Sequence, residues 1–229
     1  IIATENPKGP YVIINKPVPN RTYISGTDPI PFGDNSLDDG SDYAIVIKSR
    51  EDERYEAYYA ERNLDSDVVI DIAILLQEYY KSAMFPKGAP TEMEANRGEV
   101  AMRIYKERGY SDLLADRPKN LGIIYEDKKS KKGWFNNDKT GSRANNYLIQ
   151  FLKKHAANQR LIRLIEECFM FPKGNTDVVD AVKGCELLDA ELTASENKKY
   201  KSVSKYRMIP YMTRENGRVV QKWKKVEIE

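Results

Sequence analysis

The part of the sequence that most constrains the fold is residues 21–47, in which two β-type runs flank a loop rich in Gly, Pro, Asp and Asn. The runs are residues 21–27 and 42–47, and Asp28 stands where the first run ends. A second strand that folds back beside the first leaves this carboxylate at an edge of the sheet, where oxygen ligands can hold a metal ion. The stretch therefore predicts two adjacent strands with an acidic site at one end.

Further periodic patterns extend this pair of strands into an α/β domain. Strand patterns at residues 23–28, 42–48 and 54–62, joined by short turns, predict an antiparallel meander. Two strand–helix–strand crossovers, through strands at residues 89–94 and 121–125, predict parallel pairing. The expected fold is a central mixed five-stranded sheet flanked by helices.

The helices are predicted from apolar spacing and from their ends. Asp65 or Ser66 can cap a first helix, in which Val68, Ile72, Leu75, Leu76 and Tyr79 recur at helical spacing. Further helices are predicted at residues 98–108, 143–155 and 176–192, the last with Val178, Ala181, Val182, Cys185 and Leu188 on its apolar face. Residues 161–169 fit either a strand or a short helix.

The chain is predicted to have three parts. Residues 1–20 form an interdomain linker or a short strand, residues 21–193 form the main domain, and residues 194–229 form a basic tail with a β-hairpin. The hairpin is predicted from the Asn216–Gly217 turn and is preceded by a polar, linker-like segment at residues 195–205. Residues 193–229 hold seven Lys and three Arg against four Glu, although the whole chain carries only +2. Such a tail either faces a polyanion or an acidic partner, or is simply solvated.

The composition excludes several functional classes. With two cysteines and one histidine, the chain lacks the ligands of a usual zinc site. No G-x-x-x-x-G-K-[ST] motif is present, so ATP is not expected as a cofactor. No apolar run approaches the ~20 residues of a membrane-spanning helix, so no membrane partner is expected.

Three acidic positions join Asp28 as candidate metal ligands. Glu94 ends the strand that follows the first crossover, and such a strand often inserts beside the first strand. Asp177 and Asp180 lie one helical turn apart on one face, and Gly184 on the same face leaves room for something to approach. Carboxylates without His or Cys favour Mg²⁺ or Mn²⁺. Two such ions about 4 Å apart can activate water and stabilise the leaving oxygen of a phosphodiester.

The order of these motifs resembles the nuclease domain of the large terminase subunit of tailed phages, which has an RNase H/RuvC-like fold. The segments GTDPIPFGDNSLDDGSDYAIVI, PTEMEANRGE and FMFPKGNTDVVDAVKGCELL carry the resemblance. The matching residues are Gly26, Asp28 and Asp42 in the first motif, and Glu94, Asn96 and, one place early, Gly98 in the second. The third motif reads Asn175 to Ala181, with Thr176 where the family has the first acid of a pair.

The resemblance implies roles for these residues. Asp28, Glu94 and Asp177 would be the catalytic and metal-binding triad, with Asp180 assisting at the metal and Asp28 bridging both ions. Glu92 competes with Glu94 for its place, but only Glu94 is followed by the Asn and Gly of the motif. Thr176 puts in doubt any role that needs the missing acid.

The resemblance also implies a function and partners. The domain would be a two-metal-ion endonuclease that cleaves concatemeric double-stranded viral DNA while the genome is packaged into the procapsid. The full-length chain would add a packaging ATPase domain, with the portal protein and the small terminase subunit as partners. The protein would work in the host cell cytoplasm, transiently on the procapsid portal.

Basic residues are candidates for contacts with DNA phosphates. Lys128, Lys129, Lys131 and Lys132 lie in one loop before Trp134 and Phe135, and Arg143 and Lys173 are further candidates. The alternative for the loop is a solvated segment with Trp134 packed on the domain. Alternatives for the whole domain are a RuvC-like resolvase, another RNase H-type nuclease, or a catalytically silent module that binds DNA or the portal.

Overall fold

A computed structural model describes residues 9–32, 40–122, 131–171, 176–204, 206–215 and 218–227. The chain divides into two compact units, Ile1–Glu191 and Leu192–Glu229. The first unit contains a five-stranded sheet, and the second contains a two-stranded hairpin. None of the helices in these described ranges combines the length and apolarity needed to cross a membrane.

The sheet of the first unit has the strand order β1-β4-β3-β2-β5. Its strands are β1 (Tyr11–Ile13), β2 (Tyr23–Asp28), β3 (Tyr43–Ser49), β4 (Arg54–Glu61) and β5 (Thr91–Met93). Strands β2, β3 and β4 form the predicted antiparallel meander, and β5 pairs in parallel with β2. The mixed five-stranded sheet and the insertion of the post-crossover strand beside the first strand are thus confirmed.

The register of β2 and β5 brings their ends to one edge of the sheet. Thr27 of β2 is paired with Met93 of β5. Asp28 and Glu94 are each one residue further along two parallel strands, so their backbones reach the same edge. The position predicted for Glu94 from the crossover is therefore correct.

The fifth strand is not the one expected at residues 121–125. Of that range only Leu121 and Gly122 are described, in a turn, and the rest lies outside the described residues. β1 at the opposite edge, paired with β4, is the fifth strand. Beside β5 the chain instead makes isolated bridges, Thr91 with Leu114 and Glu94 with Trp134.

The described residues form five α-helices. They are α1 (Ser66–Tyr79), α2 (Glu99–Glu107), α3 (Asp138–His155), α4 (Ile162–Met170) and α5 (Asp177–Ser204). The Asp65 carboxylate caps α1 by accepting hydrogen bonds from the backbone N–H groups of Asp67 and Val68. The residues that fitted either a strand or a helix form α4.

The buried face of α1 differs from the periodic set seen in the sequence. Val68, Leu75 and Tyr79 are 41–62% exposed. The buried residues are Val69, Ile70, Ala73, Ile74, Leu76 and Gln77. Apolar residues occupy most sides of this helix, so their spacing alone does not predict which face is buried. Contacts with other elements determine the buried face: the Gln77 side chain donates to Ala89 O and accepts from the Tyr105 hydroxyl.

The helix α5 has the predicted apolar face but runs beyond its predicted end. Val178, Ala181, Val182, Cys185 and Leu188 are all buried. The helix continues to Ser204, so the linker predicted at residues 195–205 is wrong. Residues 193–204 are polar but contain neither Gly nor Pro, and extending an existing helix costs far less than nucleating one.

The second unit contains the predicted terminal hairpin. Its strands are β6 (Tyr206–Glu215) and β7 (Arg218–Glu227), paired antiparallel from Tyr206 with Glu227 to Glu215 with Arg218. The turn residues Asn216 and Gly217 lie outside the described residues.

Two glycines let α5 lie against the sheet. A Cβ atom added to Gly26 in β2 would lie 2.1 Å from Ala181 O and 2.4 Å from Cys185 N of the helix backbone. A Cβ added to Gly184 would lie 3.0 Å from Glu92 O of β5. At Gly26 the helix therefore lies closer to β2 than any residue with a side chain would allow, and at Gly184 its contact with β5 is tight.

We predict that Gly26→Ala destabilises the first unit by about 3 kcal/mol or more, because the methyl group would meet immovable helix backbone. Urea denaturation of the full chain measures this free energy of unfolding. Gly109→Ala is the matched control: Gly109 has a φ of +79° and nothing within 4 Å of an added Cβ, so backbone strain alone should cost about 1–2 kcal/mol. Equal losses in the two variants would contradict the proposed contact.

Candidate active site

Four carboxylates gather where β2 ends. Asp28 is the last residue of β2, Glu94 follows β5 directly, and Asp177 and Asp180 lie in the first turn of α5. Asp28, Glu94 and Asp177 are only 4–7% exposed. Burial raises the pKa of Asp28 well above its usual value, and repulsion from Asp180, Glu94 and Asp177 raises this pKa further. The structure thus brings together all four acids predicted as metal ligands.

Glu94, rather than Glu92, belongs to this cluster. Burial and the charge of Asp180 raise the pKa of Glu94, opposed by a hydrogen bond from Asn136 and by the charges of Arg97 and Lys183. Glu92 is completely buried two residues earlier. Its pKa is raised well above the usual value by burial and then by Glu191 and Asp116. The two glutamates therefore face different groups.

Three of the acids are held by groups of the chain itself. The backbone N–H of Asp42 donates to Asp177 Oδ2 at 2.8 Å, and Asn136 Nδ2 donates to Glu94 Oε2 at 3.1 Å. Asp180 forms an ion pair with Lys183 through Oδ1 and accepts a hydrogen bond from the Thr176 hydroxyl through Oδ2 at 3.3 Å. Within the described ranges, no three His, Cys, Asp or Glu side chains form a group that could hold a metal ion.

The chemistry of the cluster nevertheless suits a divalent cation. Its donors are carboxylate oxygens, the ligands that Mg²⁺ and Mn²⁺ prefer. Burial and, after it, their mutual repulsion raise the pKa of Asp28, and a bound cation would relieve the repulsion. The chemistry of the donors therefore suits a divalent ion, although Glu94, Asp177 and Asp180 are held by protein partners in this structure.

The backbone of α5 is fixed at its N-terminus by Glu167 of α4. Glu167 Oε2 accepts hydrogen bonds from Val178 N at 2.8 Å and Val179 N at 3.1 Å. Its Oε1 is paired at 2.8 Å with Arg163, which also holds Asp42 at 2.6 Å. Sequence reasoning missed this cap, because capping residues are sought just before a helix and not 11 residues upstream.

Thr176, which replaces an acid of the family motif, has a defined place in this structure. It is buried directly before α5, and its carbonyl accepts the backbone N–H of Asp180 at 2.8 Å. Thr is favoured at this N-cap position of a helix. Together with its hydroxyl contact to Asp180, this makes Thr176 a residue that positions Asp180.

Comparison with known proteins gives matches in structure but not in sequence. No protein-family model matches the chain, and no curated protein matches it. The crystal structure of the large terminase nuclease from thermophilic phage G20c superposes with a TM-score of 0.50 at 12% identity, over 78% of this chain and 88% of that chain. The same nuclease with bound magnesium gives a TM-score of 0.53 at 9% identity, again over 78% of this chain and 87% of that chain.

The crystal structure of the same nuclease with bound zinc agrees with these two. It has a TM-score of 0.51 at 12% identity, over 78% of this chain and 87% of that chain. The chain has the fold of a large terminase nuclease domain. The resemblance seen in the motifs is thereby confirmed at the level of fold.

Two glycines of this domain serve packing rather than ligand access. The space expected beside Gly184 is taken by the backbone of β5 at Glu92 and by the indole of Trp134. Gly98, one place early for the motif, lies directly before α2, and an added Cβ would lie 2.7 Å from Glu94 O. The prediction that Gly184 leaves room for something to approach is therefore confirmed, and the approaching group is the protein's own strand β5.

The predicted DNA-binding residues fall into three groups. Lys128, Lys129 and Lys173 lie outside the described residues. Lys131 is exposed. Lys132 forms an ion pair with Asp116 at 2.8 Å, and Arg143 donates to Leu121 O, so both side chains have protein partners. Trp134 of the same region is buried with Ala144 and Leu187.

Sequence reasoning missed several cations that act on the cluster, among them Arg97 and Lys183. Arg97 lowers the pKa values of Asp28 and Glu94, and Lys183 lowers that of Glu94. Arg97 lies inside the second motif and Lys183 three residues after Asp180, so helical spacing could have indicated Lys183. The acidic site is therefore partly balanced by the chain's own positive charges.

We predict that Asp177→Asn stabilises the domain at neutral pH in EDTA by about 2–3 kcal/mol. The folded-state pKa of Asp177 is raised from 3.8 to about 6, mainly by burial. Its stabilising contribution is thus complete below about pH 4 and is lost as the pH rises through about 6. Urea denaturation from pH 4 to pH 7 should show this fall in wild type and a smaller fall in the variant. Glu107→Gln, at an exposed acid of α2, is the control, and its stability should fall between pH 4 and pH 7 by as much as that of wild type.

We predict that Glu167→Ala destabilises the domain by about 2 kcal/mol, because α5 loses two capping hydrogen bonds and Arg163 loses a partner. Chemical denaturation measures the change. Glu166→Ala, at the exposed neighbouring acid of the same helix, is the control and should cost less than about 0.5 kcal/mol. Similar losses at the two positions would argue against the cap.

Proposed function

We propose that this chain is a metal-dependent endonuclease that cleaves concatemeric double-stranded viral DNA during packaging into the procapsid. The observation that carries the proposal is the cluster of Asp28, Glu94, Asp177 and Asp180, three of them buried, at one edge of the sheet. The fold shared with the G20c nuclease, which has been crystallised with magnesium and with zinc, supports it.

In this proposal the four acids hold two ions of Mg²⁺ or Mn²⁺. Bound divalent ions supply an activated water and stabilise the leaving oxygen of the phosphodiester. Asp28 takes the central place, because the other three acids all act on its carboxylate. Asn136 orients Glu94, and the backbone N–H of Asp42 orients Asp177.

The proposed substrate is double-stranded DNA, which is held through its phosphates. Exposed Lys131 supports this assignment, and Lys128, Lys129, Lys132, Arg143 and Lys173 are the further proposed contacts. Such contacts read no base sequence and weaken as salt rises. The proposal places the domain beside a packaging ATPase domain, a small terminase subunit and the portal protein, in the host cell cytoplasm.

A second candidate is a catalytically silent module that binds DNA or the portal. It is favoured by Thr176 in the place of an acid and by the protein partners that hold Glu94, Asp177 and Asp180. The two candidates differ in whether a divalent ion enables cleavage.

We predict that the full chain cleaves plasmid DNA with Mn²⁺ or Mg²⁺ and that Asp28→Ala and Glu94→Ala each lower the rate at least about 100-fold, since each removes a ligand worth several kcal/mol. Gel electrophoresis of supercoiled plasmid measures the rate. Asp112→Ala, at an exposed acid paired with Lys87, should cleave like wild type. DNA binding without cleavage by the wild type with either ion would favour the silent module, and preference for a branched junction would indicate a resolvase.

A further inference from the structure

Lys183 places a positive charge inside the acidic cluster. It lies in α5 three residues after Asp180, and its ammonium forms an ion pair with Asp180 Oδ1. The side chain is only 11% exposed, with the ammonium 5.4 Å from the centre of the Phe171 ring. The same charge also acts on Glu94. One lysine thus interacts with two of the four acids.

The ion pair with Lys183 occupies Asp180, one of the four acids proposed to hold metal ions. Asp180 is the carboxylate with the strongest effect on Asp28, and it also acts on Glu94. Its Oδ1 is taken by Lys183 and its Oδ2 by the Thr176 hydroxyl. This agrees with the finding that no three potential metal ligands in the described ranges form a group that could hold an ion.

We propose that Lys183 is a built-in cation that competes with a divalent metal ion for Asp180, and so keeps the metal affinity of the DNA-free protein low. This inference rests on the proposed metal-dependent function. An ammonium and a divalent ion at the same carboxylate repel each other, and the ammonium already offsets part of the repulsion that a metal ion would relieve. Metal binding at Asp180 is therefore opposed by Lys183, and a DNA phosphate near the site would draw the ammonium away from the carboxylate.

The choice of substitution separates charge from packing. Lys183→Met keeps an unbranched stem against Phe171 and removes the charge, whereas Lys183→Arg keeps the charge. Arg97, the other cation that acts on Asp28 and Glu94, is present in every variant. Lys81→Met removes an exposed lysine that follows α1 and serves as the matched control.

The test is titration of the full chain with Mn²⁺ in a calorimeter, without DNA. Lys183→Met should bind Mn²⁺ at least about tenfold more tightly than wild type, which corresponds to ~1.4 kcal/mol. Lys183→Arg and Lys81→Met should bind like wild type. In EDTA the melting temperature of Lys183→Met should fall, and saturating Mn²⁺ should raise it by more than it raises that of wild type.

The outcomes distinguish this inference from the function on which it rests. If wild type binds Mn²⁺ and cleaves DNA but Lys183→Met binds no more tightly, Lys183 is only a packing residue and the inference fails alone. If neither protein binds Mn²⁺, both the inference and the metal-dependent function fail. Lys183→Gln, which retains a polar end, provides the same comparison if the Met variant does not fold.

Discussion

The close approach of α5 to β2 at Gly26 is the contact on which the rest of the site depends. Only a residue without Cβ lets the helix backbone at Ala181 and Cys185 come this near the strand. The approach brings the first turn of α5 over the edge where Asp28 and Glu94 emerge. Further along the helix, buried Lys48 of β3 pairs with Glu186 at 2.9 Å and Asp189 at 2.8 Å. Since an unpaired buried charge is costly, these pairs also fix how α5 lies on the sheet.

The same packing also has a cost in stability, because it buries several carboxylates close together. Carboxylates from β2, from the end of β5 and from α5 are pressed into one place that water hardly reaches, and the raised pKa values of Asp28, Glu94 and Asp177 record this. The surrounding fold offsets the cost through Asn136, the Asp42 N–H, Thr176 and Lys183. Functional sites are typically destabilising in themselves and are stabilised by the structure around them.

How much of the fold and of the candidate site could be predicted from the sequence depends on how far apart in the sequence the contacting residues lie. The meander, the place of Glu94 beside Asp28 and the apolar face of α5 follow from local period and from crossover topology, and all three predictions are confirmed. The buried face of α1 and the Glu167 cap depend on which elements meet in three dimensions, so local spacing does not contain them. The group that approaches Gly184 could not be predicted for the same reason, because a missing side chain indicates a close approach but not which group approaches.

The cap on α5 also limits how a phosphate could be held at this edge. The N-terminus of a helix normally offers free N–H groups and a partial positive charge to an anion. Here Glu167 already takes the N–H groups of Val178 and Val179, and Asp177 and Asp180 add negative charge to the same turn. A DNA phosphate would therefore meet repulsion from the helix end and would need cations for its attraction. Arg97 acts on Asp28 and Glu94, Lys183 acts on Glu94, and Arg163 acts on Asp177, so a phosphate at this edge would draw on the same positive charge that stabilises the cluster in the absence of DNA.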